Sequence, residues 1–268
     1  MKSLVLNEVR EGRVATCVKL NLADPRVVEI CALAGAHCVW LDNEHVPNDW
    51  LNLEHMIRAA RARGIDAMVR VSKGSYSNYL KPFEAGASGV MVPHVANADE
   101  ARTIVEMTRF RPLGRRPLDG GNVDGSFCQI PLADYLEQSN CEQFVVLQIE
   151  SPEALNRVEE IAAVPGFDFL LFGVGDFAYQ LGYPGQLQHP EVVAARRRVE
   201  RAAVEHRKHC VAVGYHAPIG ELIERGYGMI NVQSDVTSLA DGLTKAVRAQ
   251  SAVVGTADGR PASVYSRA

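Results

Sequence analysis

The sequence predicts an α/β protein of the (β/α)8-barrel class, and three observations carry that expectation. Short apolar runs alternate with helical patterns from end to end, the runs number eight, and the helices between them start and stop at punctuated positions. The runs are Ala15–Leu20, Cys38–Asp42, Ala67–Val71, Gly89–Pro93, Phe144–Glu150, Phe167–Gly173, Val211–Tyr215 and Met229–Gln233. They are continuous rather than alternating, which is the pattern of strands buried on both faces in a parallel sheet under helices. Between them, stretches such as Trp50–Arg63 place Leu53, Met56, Ile57 and Ala60 on one stripe of a 3.6-residue period.

The punctuation fits helices in those intervals. Asp24-Pro25, Ser151-Pro152 and His189-Pro190 put proline where a missing N–H costs nothing, with Asp24 and Ser151 as N-caps. Asn97 followed by Glu100 forms a relaxed capping box. Gly35, Gly64, Gly86, Gly166 and Gly226 stand where a helix ends before the next strand. The rival is a doubly wound open sheet. It is disfavoured because no G-x-G-x-x-G follows the first strand and polar residues end many strands rather than a few. No change in composition marks a linker, so residues 1–255 read as one barrel domain and 256–268 as a tail. Arg111–Ile130, rich in Gly, Arg and Asp, reads as a long loop at a βα position.

Bulk properties narrow the partners. The formal charge is −4 and no long basic stretch occurs. The densest basic cluster, Arg196, Arg197, Arg198 and Arg201, falls in a predicted helix and reads as a solvated face or subunit contact. Nucleic acid and membranes are therefore not expected as partners. The apolar run near the N-terminus is too short for a signal sequence, and charges interrupt it at once. The six cysteines form no C-x-x-C pair and read as reduced, buried small hydrophobes of a cytoplasmic protein.

In a barrel of this class the C-terminal strand ends and the loops after them form the active face. There the sequence places Asp42-Asn43-Glu44-His45, Arg70, His94, Gln148 and Glu150, Gly173-Val174-Gly175-Asp176, His216 and Asp235. Apolar strands need no such charges to fold, and charges converging on one rim are costly unless compensated. Glu150 and Asp176, at the ends of neighbouring strands, repel each other unless protonated, bridged by a divalent cation, or paired separately with arginines. His45 suits general acid–base work but also a structural role. Arg70 suits an enolate or carboxylate oxygen but also a pairing with Asp42 or Glu44. His94 and His216 are secondary candidates, and the Gly173-Val174-Gly175 amides are a weak anion cradle.

These residues also carry a resemblance. Leu41-Asp42-Asn43-Glu44-His45-Val46-Pro47-Asn48-Asp49, Val69-Arg70, Met91-Val92-Pro93, Asn97-Ala98-Asp99-Glu100-Ala101, Gln148-Ile149-Glu150 and Gly173-x-x-Asp176 before Leu181-Gly182 stand as spaced blocks from about residue 5 to 250. In these blocks the chain resembles the class II, metal-dependent pyruvate aldolases of the 4-hydroxy-2-oxoheptanedioate and 2-keto-3-deoxy-sugar-acid aldolase family. The resemblance implies a (β/α)8 barrel, usually hexameric, with the last helix (about Val236–Val253) exchanged between subunits. It implies reversible cleavage of a 4-hydroxy-2-oxo acid to pyruvate and an aldehyde through a metal-bound pyruvate enolate, with Mg2+, Mn2+ or Co2+. On matching positions, Glu150 and Asp176 become metal ligands, and Arg70 contacts the keto or enolate oxygen. Gln148 lines the substrate, and the amides of Val174, Gly175 and Asp176 face its carboxylate. His45 becomes the acid–base, supported by Glu84 where the family has aspartate.

Two departures stand out. Lys19 occupies a first-strand position where an aromatic residue is common, and Arg115–Gly125 replaces the usual Arg-Gly stretch of the loop after strand four. The half that binds metal and pyruvate is thus expected intact, and the half that selects the aldehyde is not. The alternatives are an oxaloacetate decarboxylase or CoA-ester lyase on a related barrel, or a non-catalytic binding barrel. No nucleotide-pocket motif supports a CoA ester, and a binding barrel has no reason to keep His45, Arg70, Glu150 and Asp176 together.

Overall fold

Eight parallel strands close on themselves in chain order in a computed structural model that describes residues 2–214 and 216–254. The expected tail 256–268 and Tyr215 lie outside the described residues. The strands are β1 (Ala15–Leu20), β2 (Cys38–Asp42), β3 (Asp66–Arg70), β4 (Gly89–Val92), β5 (Phe144–Ile149), β6 (Phe169–Phe172), β7 (His209–Val213) and β8 (Tyr227–Ser234). The described helices are α1 (Leu4–Arg10), α2 (Pro25–Leu33), α3 (Trp50–Ala62), α4 (Tyr76–Glu84), α5 (Ala98–Thr108), α6 (Leu132–Glu142), α7 (Pro152–Asn156), α8 (Val158–Ala162), α9 (Val174–Gln180), α10 (Pro190–Glu205), α11 (Ile219–Glu224) and α12 (Asp235–Val254). The barrel expectation therefore holds. The seventh and eighth strands each begin two residues earlier than their apolar runs, because ladder pairing recruits His209 and Tyr227.

The continuous apolar strands fill two separate cores. Residues facing into the barrel, such as Cys17, Trp40, Met68, Met91, Val146, Phe169 and Met229, pack on one another. Gly89 makes room there: a Cβ would lie 2.2 Å from the ring of Phe144. The alternate residues of each strand face outward and pack under the helices, including the Leu53, Met56, Ile57 and Ala60 stripe. The caps form as the sequence implies. Asp24, Asn97 and Ser151 side chains accept N–H bonds from the first helical turns, and the five helix-ending glycines all have positive φ.

The N-terminal end of the barrel is stoppered. Val5 and Leu6 of α1 join the interior cluster, and the buried Asp66 carboxylate accepts from Ser3 Oγ (2.7 Å), Val5 N (2.8 Å) and Ser88 Oγ (2.7 Å).

Three expectations need correction here. Segment 111–130 follows α5 rather than a strand, so it lies at this stoppered end and not at a βα position. Its Arg116 is buried, paired with Asp124 at 2.6 Å and bonded to Gln143, the residue just before β5. The chain's helix 98–108 intervenes between β4 and the loop, which places the loop at the opposite end from the mouth. The Arg196–Arg201 cluster is not simply solvated. Arg196 is buried, Arg197 pairs with Glu200 and Arg198 with Glu159. All six cysteines are free, but Cys128 and Cys141 are exposed, because one sits in a loop and the other on the outer face of α6. Among the described residues no helix is long and apolar enough to cross a membrane.

Candidate active site

Inward-facing residues at the ends of the strands line the barrel mouth, and their positions follow from register. Lys19 pairs with Trp40 across β1 and β2, and Asp42 with Arg70 across β2 and β3. The Arg70 guanidinium donates to Asp42 from Nε (3.1 Å) and from Nη2, and its Nη1 lies 3.1 Å from Glu44 Oε2. Both expected readings of Arg70 thus meet: it is a fixed cation at the mouth because two acidic residues hold its plane. The guanidinium also lies 4.9 Å from the centre of the Trp40 ring, and Lys19 Nζ lies 5.4 Å from it on a side chain that reaches Asp42 at 3.1 Å. Burial works to raise the Asp42 carboxyl, but the Arg70 hydrogen bonds and the nearby charges of Arg70 and Lys19 outweigh it and hold the group at about 2.

The far side of the mouth is built from β5 and β6. Gln148 Nε2 donates to Glu150 Oε2, and His94 N donates to Glu150 Oε1 at 2.7 Å. Gly173 permits this approach, since a Cβ there would lie 2.6 Å from both Cβ and Oε2 of Glu150. Burial raises the Glu150 carboxyl. The His94 amide and ring oppose that, while the charges of Asp176 and Glu44 add to it. Asp176 is therefore brought close to Glu150, at the start of α9, where the N–H groups of Val174, Gly175 and Asp176 have no helical carbonyl four residues before them.

These donors fit a hard divalent cation. Glu150 is buried beside a second carboxylate, Gln148 Oε1 is a buried oxygen with no hydrogen-bond partner, and Asp176 is exposed to waters that complete such a shell. Among the described residues no group of three or more His, Cys, Asp or Glu is arranged to hold a metal, so protein ligands alone would not saturate it. Two further buried polar atoms below the mouth, Trp40 Nε1 and Asn231 Oδ1, also lack partners. A region dense in unsatisfied polar atoms is where water or ligand belongs.

His45 lies after β2 with its side chain 62% exposed, and its Nε2 is 3.5 Å from Glu44 Oε2. The structure does not join it to Glu84. That residue ends α4 just before β4, at the stoppered end, where its backbone carbonyl accepts from Val123 N. Burial raises the Glu84 carboxyl, with Arg116 opposing and Asp124 and Asp119 adding to the rise. The expected dyad fails within this chain because the residue before a strand and the residue after one face opposite ends of the barrel.

Two residues gain importance beyond what the sequence gave them: His94, a secondary candidate there, and Glu44, named there only as a possible partner for Arg70. His94 bridges Glu150 Oε1 (3.0 Å from Nδ1) and Glu44 Oε1 (3.3 Å from Nε2). Its place directly after Pro93 at a strand end was the available signal. Glu44 meets Arg70, His45 and His94, and nothing in its local sequence distinguished it from its acidic neighbour Asp42. His216, by contrast, leaves the mouth. It lies over the outside of the barrel near Glu200 (3.8 Å) with its ring 5.3 Å from that of Tyr227.

Comparison with known proteins finds relatives of the same fold. A family described as HpcH/HpaI aldolase/citrate lyase matches residues 16–241. A 4-hydroxy-2-oxo-heptane-1,7-dioate aldolase of Salmonella dublin is 32% identical over 247 residues, 90% of this chain and 92% of the relative. The crystal structure of an HpcH/HpaI aldolase from Desulfitobacterium hafniense DCB-2 superposes with a TM-score of 0.87 at 28% identity, covering 97% of this chain and 100% of that one. The citrate synthase SbnG superposes with a TM-score of 0.85 at 28% identity, covering 95% and 99%.

Proposed function

The chain belongs to the HpcH/HpaI aldolase/citrate lyase family, and from that premise we propose that it is a metal-dependent lyase that cleaves a 4-hydroxy-2-oxo acid reversibly to pyruvate and an aldehyde. The observation that carries this reading is the buried Glu150 beside Asp176 on one wall of a mouth whose other wall presents Arg70 and the exposed His45. When bound by Glu150 and Asp176, Mg2+, Mn2+ or Co2+ supplies Lewis-acid polarisation of the 2-oxo group. Arg70, fixed by Asp42 and Glu44, places positive charge where the enolate oxygen develops. Gln148 orients Glu150, and the amides of Val174, Gly175 and Asp176 receive the substrate carboxylate. His45, open to solvent and free of a tight partner, moves the proton of the 4-hydroxyl.

The test is exchange of pyruvate methyl protons with deuterium. Exchange that needs a divalent cation, stops with EDTA and returns on adding the cation back supports the reading. Exchange undiminished after exhaustive chelation overturns it. The similarity to a citrate synthase favours a second reading, in which the same enolisation serves oxaloacetate chemistry. Measured decarboxylation of oxaloacetate faster than aldol cleavage would select it.

Assembly and location extend the proposal. α12 carries exposed Val236, Leu239, Leu243 and Val247 at helical spacing, and α2 and α11 expose Ile30, Leu33, Ile219 and Ile223. We read these as halves of a subunit contact in which the last helix docks on a neighbour, giving a hexamer or another closed oligomer. Light scattering that reported a monomer across working concentrations would remove this part. Free buried thiols fit a reducing, cytoplasmic setting.

A further inference from the structure

Glu150 is gripped unequally at its two carboxylate oxygens. Oε1 accepts from the His94 backbone N–H at 2.7 Å and lies 3.0 Å from Nδ1 of the same residue's ring. Oε2 accepts from Gln148 Nε2 and faces Gly173, the residue that leads into α9 and Asp176. A carboxylate oxygen offers two lone pairs. His94 therefore takes up both on Oε1, and one remains on Oε2.

His94 reaches a single oxygen with both its N–H and its ring because its backbone is left-handed, at φ 54°. A residue other than glycine holds that conformation only where its surroundings fix it. Here they do. The His94 carbonyl accepts from Lys73 Nζ at 2.8 Å, and Lys73 pairs with Glu100 at 2.7 Å. Glu100 Oε2 also accepts from Ala96 N at 2.9 Å, and Val95 N donates to the Gln148 carbonyl at 3.2 Å. On the far side of the ring, Nε2 stands 3.3 Å from Glu44 Oε1. The imidazole is thus held at both nitrogens by a turn that is bonded at each of residues 94, 95 and 96. A plain connection from β4 to α5 needs none of this.

Resting on the lyase reading above, we infer that His94 determines which cation the mouth accepts, because by occupying Oε1 it makes Glu150 a one-oxygen ligand. A large ion such as Ca2+, which takes six to eight oxygens and often both of a carboxylate, is then left with Oε2 alone. Mg2+ loses little, since it takes one or two carboxylates and keeps waters in its remaining positions. His94 acts through Glu150 and not on the substrate, so it is a positioning residue.

The experiment titrates the metal-stripped full-length protein with MgCl2 and with CaCl2 in a calorimeter. Both ions are divalent, so any change of charge at position 94 moves the two affinities together and cancels in their ratio. The wild-type protein should favour Mg2+. His94→Gly keeps the left-handed backbone and the N–H bond to Glu150 but deletes the ring. It should bring the preference down by about ten- to hundredfold, the range over which outer partners of metal ligands act, chiefly through tighter Ca2+ binding. His94→Asn, which tolerates the same backbone and keeps a side-chain donor for Oε1, should retain most of it. A wild-type ratio near one overturns the inference, as does an unchanged ratio in His94→Gly. If His94→Gly does not fold, His94→Ala takes its place with the same expected fall. A wild-type protein that binds no divalent cation would instead refute the lyase reading, and cation binding with a ratio indifferent to the ring refutes His94 alone.

Discussion

The two ends of this barrel each bury a carboxylate, and they treat it in opposite ways. At the stoppered end Asp66 receives two hydroxyls and a backbone N–H, and α1 seals the interior above them. At the mouth Glu150 sits beside another carboxylate, among buried polar atoms on Gln148, Trp40 and Asn231 that lack partners. The first arrangement is complete and contributes to stability. The second is incomplete by the protein alone, and under the lyase reading proposed above that incompleteness is where a cation and a substrate would bind. The difference predicts which substitutions cost activity and which cost folding.

The largest effect should come from Glu150→Gln or Asp176→Asn. Either should abolish pyruvate exchange and weaken cation binding measured by calorimetry, while leaving urea unfolding little changed. A variant that exchanged at the wild-type rate would erase the functional half of the comparison. His45→Ala should come next, slowing aldol cleavage by about 10²–10⁴-fold with pyruvate binding retained. If rates stay near wild type from about pH 6 to 9, His94 replaces it as the proton carrier. Gly173→Ala should slow turnover by about 10²-fold, because its methyl displaces Glu150 on the order of an ångström.

The opposite end should respond in stability. Asp66→Ala strands Ser3 Oγ, Ser88 Oγ and Val5 N, and should lower unfolding free energy by about 3 kcal/mol in urea titrations, with pyruvate exchange per folded molecule preserved. Equal loss of exchange would show that the two ends are not separable.

The smallest effect is in pH dependence. Asp42 is held at about 2 when folded, below its unfolded value. Its contribution of about 2 kcal/mol is present above the unfolded value and is lost as pH falls from about 4 toward 2. Asp66 has the opposite sign: burial raises it despite its hydrogen bonds from Ser3, Val5 and Ser88, so folding is favoured below its unfolded value and loses ground as pH rises through the folded one. Asp42→Asn should flatten the acid limb of a stability–pH curve, and an unchanged limb would mean Arg70 does not hold that carboxyl down.

Local patterning was enough to determine the barrel. Continuous apolar runs, capping residues and helix-ending glycines each act over a few residues, and eight repeats of them leave few ways to bury both faces of every strand. The same logic located Glu150, Asp176, Arg70 and His45 at one rim, because a residue that follows a strand stays at that end wherever the strand packs. Tertiary structure decided what crosses between elements. It paired Arg70 with both Asp42 and Glu44, drew His94 onto Glu150, and carried Glu84 and segment 111–130 to the far end, because a helix lies between each of them and the mouth. It also set Lys19 across from Glu150, a relation set only when β8 closes on β1. Contacts between residues far apart in the chain depend on closure and register, and no local sequence period encodes either.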